Sequence, residues 1–190
     1  MNLSRFFNKI SFGGRRMTTQ ELVMAKDIFG DDLSCQKIRV HDGISLYFSE
    51  SGRDAIAMAP NNNVYYQPYY YEPDFSKASF LNKQIFIHEL AHVFQYQHGV
   101  DTVEHHYRNI KEHPNHSEAY EYTRADVEKG FGLMNTEQQA RFVDNLYLLK
   151  LCEEKDAAAL LFRCELQLQD MGYAEAMDIW QNFRANPTFG

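Results

Sequence analysis

The chain has 190 residues, 44% of them hydrophobic, enough for one domain with a core of its own. A net charge of −7 and an isoelectric point near 5.6 leave no electrostatic case for a nucleic-acid partner. No apolar run approaches the ~20 residues of a membrane-spanning helix. The three cysteines, Cys35, Cys152 and Cys164, lack metal-type pair spacing, and an odd number argues against a complete disulfide framework.

Residues 1–16 scatter Arg5, Lys9, Arg15 and Arg16 among apolar residues without the continuous apolar stretch of a secretory signal. They are expected to form a flexible leader. The protein is expected to be cytoplasmic at synthesis, and any export or periplasmic location would use a route other than a cleavable signal peptide. Thr18 and Glu21 stand in capping-box spacing, and Leu22, Ala25, Ile28 and Phe29 follow at helical intervals up to Gly30-Asp31-Asp32. Lys37–His41 alternates as a strand closed by Asp42-Gly43, and residues 44–48 read as another. Ala55–Ala59 and Val64–Tyr66 are strand-like around the turn Pro60–Asn63. Gln67–Asp74, with two prolines and three tyrosines, is expected to be a loop.

A helix is predicted from about Lys77 to His98, stopped by Gly99. Residues 101–130 are histidine-rich, charged and weakly periodic, and read mostly as loop. Asn135-Thr136 then caps a helix from Glu137 to about Cys152, with Thr136 and Gln139 in capping-box spacing. Residues 153–170 and Tyr173–Phe183 read as two further helices. The expected organisation is a leader (1–16), one domain (17–152) and a helical C-terminal extension packed on it (153–190).

The chemistry sits at residues 88–92, His-Glu-Leu-Ala-His. Histidines four apart lie about 40° from each other on a helix, so both imidazoles can grip one metal ion. Glu89 falls about 100° from His88, where a carboxylate can take the proton of an attacking water. Ile87, Leu90, Ala91 and Phe94 share one arc that would anchor the helix in a core. A catalytic zinc site takes three protein ligands and keeps a further position open. His98, ten residues after His88, has the spacing of a metzincin third ligand, but Gln95 stands where that motif turns on glycine. A continued helix would aim His98 about 280° from His88. His105, His106, His113 and His116 lie in the expected loop and read as solvated, while Glu118 and Glu121 are further carboxylate candidates. Glu137 fits best, at the start of a capped helix with small Ala140 one turn on. Asp144, on the same helix, is placed to hydrogen-bond a ligand histidine from behind.

Helix, short strands, HExxH helix, loop and helices make an α+β, zincin-like layout, of the gluzincin type when the third ligand is a carboxylate. Tyr107, Tyr120, Tyr122 and His116 are candidate donors to a developing oxyanion. The strand Val64-Tyr65-Tyr66, just before the HExxH helix, stands where an extended substrate would align, with Tyr69, Tyr70 and Tyr71 beside it.

Several segments occur in order: Glu21–Gly30, Ile38–His41, Met58–Asn61, Ile87–Gln95 and Glu137–Ala140. As a set, over roughly residues 17–150, they resemble the small zinc-metallopeptidase-like proteins called Vgr-related, or loosely Rhs, proteins, encoded near bacterial type VI secretion genes. The resemblance implies a gluzincin-like metallopeptidase fold in a type VI secretion setting and maps the family's acidic helix onto Glu137–Ala140. The expected function is zinc-dependent hydrolysis of an amide bond in a protein or cell-wall peptide. One Zn²⁺ ion would be held by His88, His92 and Glu137, with Glu89 as the base. The alternative is a non-catalytic scaffold that uses the fold to hold a secretion component, for which the apolar residues of the helical tail supply a surface. Expected partners are therefore secretion components or an envelope protein or peptide substrate.

Overall fold

A computed structural model describes residues 13–43, 55–112, 116–155 and 171–189. The strand expected at 44–48, the leader before Gly13 and, from residue 156 on, the tail helix expected over 153–170 lie outside these residues. Helix α1 (Thr19–Phe29) starts at the capping box read from sequence: Glu21 N donates to Thr18 Oγ1, and Thr18 N to Glu21 Oε2. Glu21 is fully buried, and its carboxylate also takes both guanidinium arms of Arg15 at 2.7 Å and the Phe75 N–H at 2.8 Å. Arg15 in turn exchanges two backbone hydrogen bonds of 2.9 Å with Val40. The chain is thus anchored by Arg15, one residue inside the leader expected over 1–16.

Among the described residues three short strands form one sheet, β1 (Arg39–Asp42), β2 (Ala57–Met58) and β3 (Asn63–Tyr66), in the order β1-β3-β2. β3 is central, parallel to β1 and antiparallel to β2. Its Val64 and Tyr66 point into the core and are fully buried.

Helix α2 (Phe80–Gln97) carries HExxH. It begins three residues later than the pattern suggested. Asp74 first caps a 3₁₀ turn at Phe75–Lys77, and Ser79 then caps the helix through Asn82 N. At its other end Gly99 adopts φ +94°, conformationally cheap only for glycine, and Val100 N reaches back to Gln95 O at 3.1 Å. Ile87, Leu90, Ala91 and Phe94 are all buried.

Residues 101–130 are not mostly loop. They form α3 (Thr102–Glu112) and α4 (Arg124–Lys129), with a 3₁₀ turn at His116–Tyr120, and a further 3₁₀ turn follows at Phe131–Leu133. α3 is capped by Asp101, whose Oδ1 accepts from Glu104 N, and Thr123 and Asp126 form a capping box on α4. The inward side of α3 presents Val103, His106 and Asn109, a mixed face opposite a strongly charged one.

Helix α5 (Thr136–Lys155) makes its principal contact with α2. Its cap is Asn135, not Thr136: Gln138 N donates to Asn135 Oδ1 at 2.9 Å and Asn135 N to Gln138 Oε1 at 3.0 Å. Helix α6 (Tyr173–Ala185) belongs to the core itself. Trp180, 1% exposed, meets Phe29, Phe94 and Phe131 at ring separations of 5.8, 5.2 and 5.8 Å, and its Nε1–H donates to Ile28 O at 2.7 Å. α1, α2 and α6 are thereby fastened at one point behind the HExxH helix.

Candidate functional site

α2 and α5 bring His88, His92 and Glu137 together, with one ligand atom from each within 4.8 Å of the others. Glu137 Oε2 lies 3.3 Å from His88 Nε2 and 3.1 Å from His92 Nε2, and the two Nε2 atoms are 3.2 Å apart. The far side of each ring determines what those nitrogens offer. His88 Nδ1 is 2.9 Å from Asp144 Oδ2, a carboxylate oxygen that only accepts, so Nδ1 carries the proton. Asp144 is 1% exposed and is fixed by Gln84 Nε2 at 2.8 Å and Arg141 at 3.6 Å, both on Oδ1.

His92 Nδ1 is 2.9 Å from Gln95 Oε1, and the direction of that bond follows from a longer chain. Main-chain carbonyls of Phe131 and Met134 accept from Gln139 Nε2, which turns Gln139 Oε1 toward Gln95 Nε2. Gln95 Nε2 also donates to Thr136 O, so its Oε1 faces the imidazole as an acceptor. Both histidines therefore present bare Nε2 lone pairs to the Glu137 carboxylate. Three converging lone pairs repel one another unless a cation sits among them, so the donor set fits a bound metal ion, and its nitrogen–carboxylate composition suits zinc. The same convergence draws protons. Burial lowers the His88 pKa, but the Asp144 and Glu137 hydrogen bonds override it and lift the group to about 10. Burial would raise Glu137, yet the facing His92, His106 and His88 hold it well below the usual carboxylate range.

Glu89 is buried on the flank of the cluster, and its Oε2 has no hydrogen-bond partner among the described residues. Burial pushes its pKa up, partly countered by His92 and His88. A cleft opens over Glu89 and the three cluster residues, walled on one side by β2 and on the other by α3. Tyr120 lines it, its ring 5.7 Å from that of His88. The negative charge of Glu137 and burial raise the Tyr120 pKa, so the phenol keeps its proton and remains a donor.

Other expected residues fall elsewhere. Tyr122 is buried on Phe142, its hydroxyl accepts from Asn145 Nδ2 at 3.0 Å, and it does not reach the cleft. The side chain of His116 lies outside the described residues. Val64-Tyr65-Tyr66 does not form the groove. It is the central one of the described strands, Val64 and Tyr66 face the core, Tyr65 stacks on His41 at 4.3 Å, and the cleft is bordered by Ala57 and Met58 of β2 and by Pro60 just after it. His98 caps α2 through Phe94 O, away from the cluster, and Glu118 and Glu121 are exposed. Sequence reasoning missed His106, which lines the cleft from α3 with Nδ1 4.0 Å from Glu137 Oε1, and Gln84, Gln95 and Gln139. The signal for the glutamines was available: α2 and α5 carry polar side chains at positions facing each other's apolar surface.

No family model matches the chain. Over 91 residues it is 35% identical to the type VI secretion system spike protein VgrG2b of Pseudomonas aeruginosa, a match spanning 47% of this chain and 9% of that protein. Among solved structures it is similar to the effector domain of Pseudomonas aeruginosa VgrG2b, with a TM-score of 0.61 and 28% identity over 79% of this chain and 82% of that one. The chain is thus homologous to a spike-protein effector domain, along most of the length of both.

Proposed function

We propose that this type VI secretion-associated protein is a zinc-dependent peptidase of gluzincin type, acting on an amide bond in an envelope protein or cell-wall peptide. The homology to a VgrG2b effector domain supports the secretion setting. The observation that carries the chemistry is the pair of imidazoles, each with Nδ1 committed to a fixed acceptor, converging with Glu137 beside the partnerless carboxylate oxygen of Glu89.

His88, His92 and Glu137 would hold the ion. When bound, zinc supplies a Lewis acid for the scissile carbonyl and lowers the pKa of a water. Glu89 takes the proton of the attacking water as its oxygen bonds to the carbonyl carbon. The same carboxyl then gives that proton to the amide nitrogen as the carbon–nitrogen bond breaks. Burial suits Glu89 to this shuttle, because a raised pKa makes the carboxylate a better base than an exposed one. The Tyr120 hydroxyl donates toward charge developing on the carbonyl oxygen. β2 and α3 hold the substrate between them.

The test compares wild type with Glu89→Gln for bound zinc and for hydrolysis of unfolded protein and of cell-wall fragments. The expected result is one zinc per chain in both, with hydrolysis lost in Glu89→Gln. Full zinc with no hydrolysis by wild type would favour a binding role for the fold.

A further inference from the structure

His88 and His92 are each oriented by one dedicated partner at 2.9 Å, Asp144 for the first and Gln95 for the second. Glu137 needs orienting no less. Its Oε2 faces both Nε2 atoms, and a half-turn of the carboxylate or a swing of the side chain would break that convergence. Its other oxygen, Oε1, is approached by His106 from α3, with Nδ1 at 4.0 Å. The ring has no competing anchor: Nε2 is buried and has no hydrogen-bond partner among the described residues. The polar partner toward which the imidazole is turned is therefore Glu137.

We propose that His106 is the positioning residue for Glu137, directing Nδ1–H at Oε1 so that Oε2 alone serves the cluster. This rests on the metal-site reading above. It makes the third element of the site, α3, a part of the metal centre rather than only a wall of the cleft. His106 closes a set in which each of the three ligands is held from behind by a different chemical group: a carboxylate, an amide and an imidazole. Partners of this kind change metal affinity by 10- to 100-fold when removed.

The test measures zinc affinity of the full chain by competition with a chromophoric chelator at pH 7, with folding followed by circular dichroism. His106→Phe keeps the ring's bulk and removes the donor, and His106→Ala removes both. Either one suffices if the other fails to fold. Both are expected to bind zinc about ten-fold or more weakly than wild type. His106→Asn, whose amide nitrogen stands near the Nδ1 position, is expected to recover most of that loss. Wild-type affinity in folded His106→Phe or His106→Ala, with zinc abolished in His88→Ala and Glu137→Ala, would overturn the role of His106 and leave the metal site standing. Failure of wild type itself to bind zinc would remove both.

Discussion

Replacing Asp144 by asparagine is the sharpest perturbation of the cluster, because it leaves shape alone and reverses one hydrogen bond. Asp144 Oδ1 accepts from Gln84 Nε2 at 2.8 Å and faces Arg141 at 3.6 Å. Both are donors, so in Asp144→Asn the amide oxygen must occupy that side. The new NH₂ group then points at His88 Nδ1, 2.9 Å away in the wild type, and can only donate. Nδ1 must give up its proton to accept that bond, and the proton moves to Nε2, the atom that faces Glu137 and His92. A protonated Nε2 cannot ligate a metal. Loss of such a partner weakens metal binding by about 10- to 100-fold, which corresponds to roughly 1.4–2.7 kcal/mol. The fold in addition exchanges a buried charge-assisted hydrogen bond for a neutral one, a loss of about 1 kcal/mol. Chelator competition reads the affinity, and ¹⁵N–¹H correlation spectra of the imidazoles read the tautomer. Zinc binding as tight as wild type, or a His88 that still carries its proton on Nδ1 in Asp144→Asn, would refute the reasoning.

Three further outcomes follow from packing, capping and charge. Trp180→Ala, which opens a hole where α1, α2 and α6 meet, is expected to cost about 3–5 kcal/mol in denaturant unfolding; a loss under about 1 kcal/mol would mean that α6 is not part of the core. Asn135→Ala is expected to cost about 1 kcal/mol through lost capping of α5. Equal losses in Asn135→Ala and Thr136→Ala would contradict the assignment of the cap. Asp74 is held down to about 2, chiefly by its hydrogen bond with Ser76, against burial and with help from Lys77 and Thr18. Its contribution is therefore complete above the unfolded value of 3.8 and fades as pH falls toward about 2. The stability gap between wild type and Asp74→Asn should close over that window, and a gap unchanged between pH 5 and pH 2 would show that the Asp74 charge does nothing for the fold.

The cap of α1 was readable because Thr18 and Glu21 are the one pair there with the right chemistry and spacing. At α5 two such pairs overlap, Asn135 with Gln138 and Thr136 with Gln139. Sequence offers no reason to prefer either, and tertiary structure decided by taking Gln139 inward for the chain of amides behind His92. The cluster of His88, His92 and Glu137 was legible from spacing and helix phase, since ligand chemistry restricts the residue types severely. The substrate wall was not. β1 pairs parallel with β3, which puts β3 between β1 and β2, and strand order across such a crossover leaves no mark in the alternation of side chains. His106 was hidden for another reason: it shares its cleft-facing side with Val103 and Tyr107 in a histidine-rich segment that read as loop, so nothing separated it from its neighbouring histidines.

The chain of amides behind His92 starts from the carbonyls of Phe131 and Met134, groups that no substitution deletes and no pH titrates. The imidazole's orientation is consequently inherited from the course of the main chain through residues 130–134. Gly130 sits at the head of that course with φ +139°, a backbone state closed to ordinary side chains. A turn of equal length that kept the buried Phe131 and Met134 but took a different backbone path would change none of the cluster's own residues. It would still re-aim Gln139, then Gln95, then the histidine. The turn thus offers a remote handle on the centre, one that scanning side chains alone would overlook.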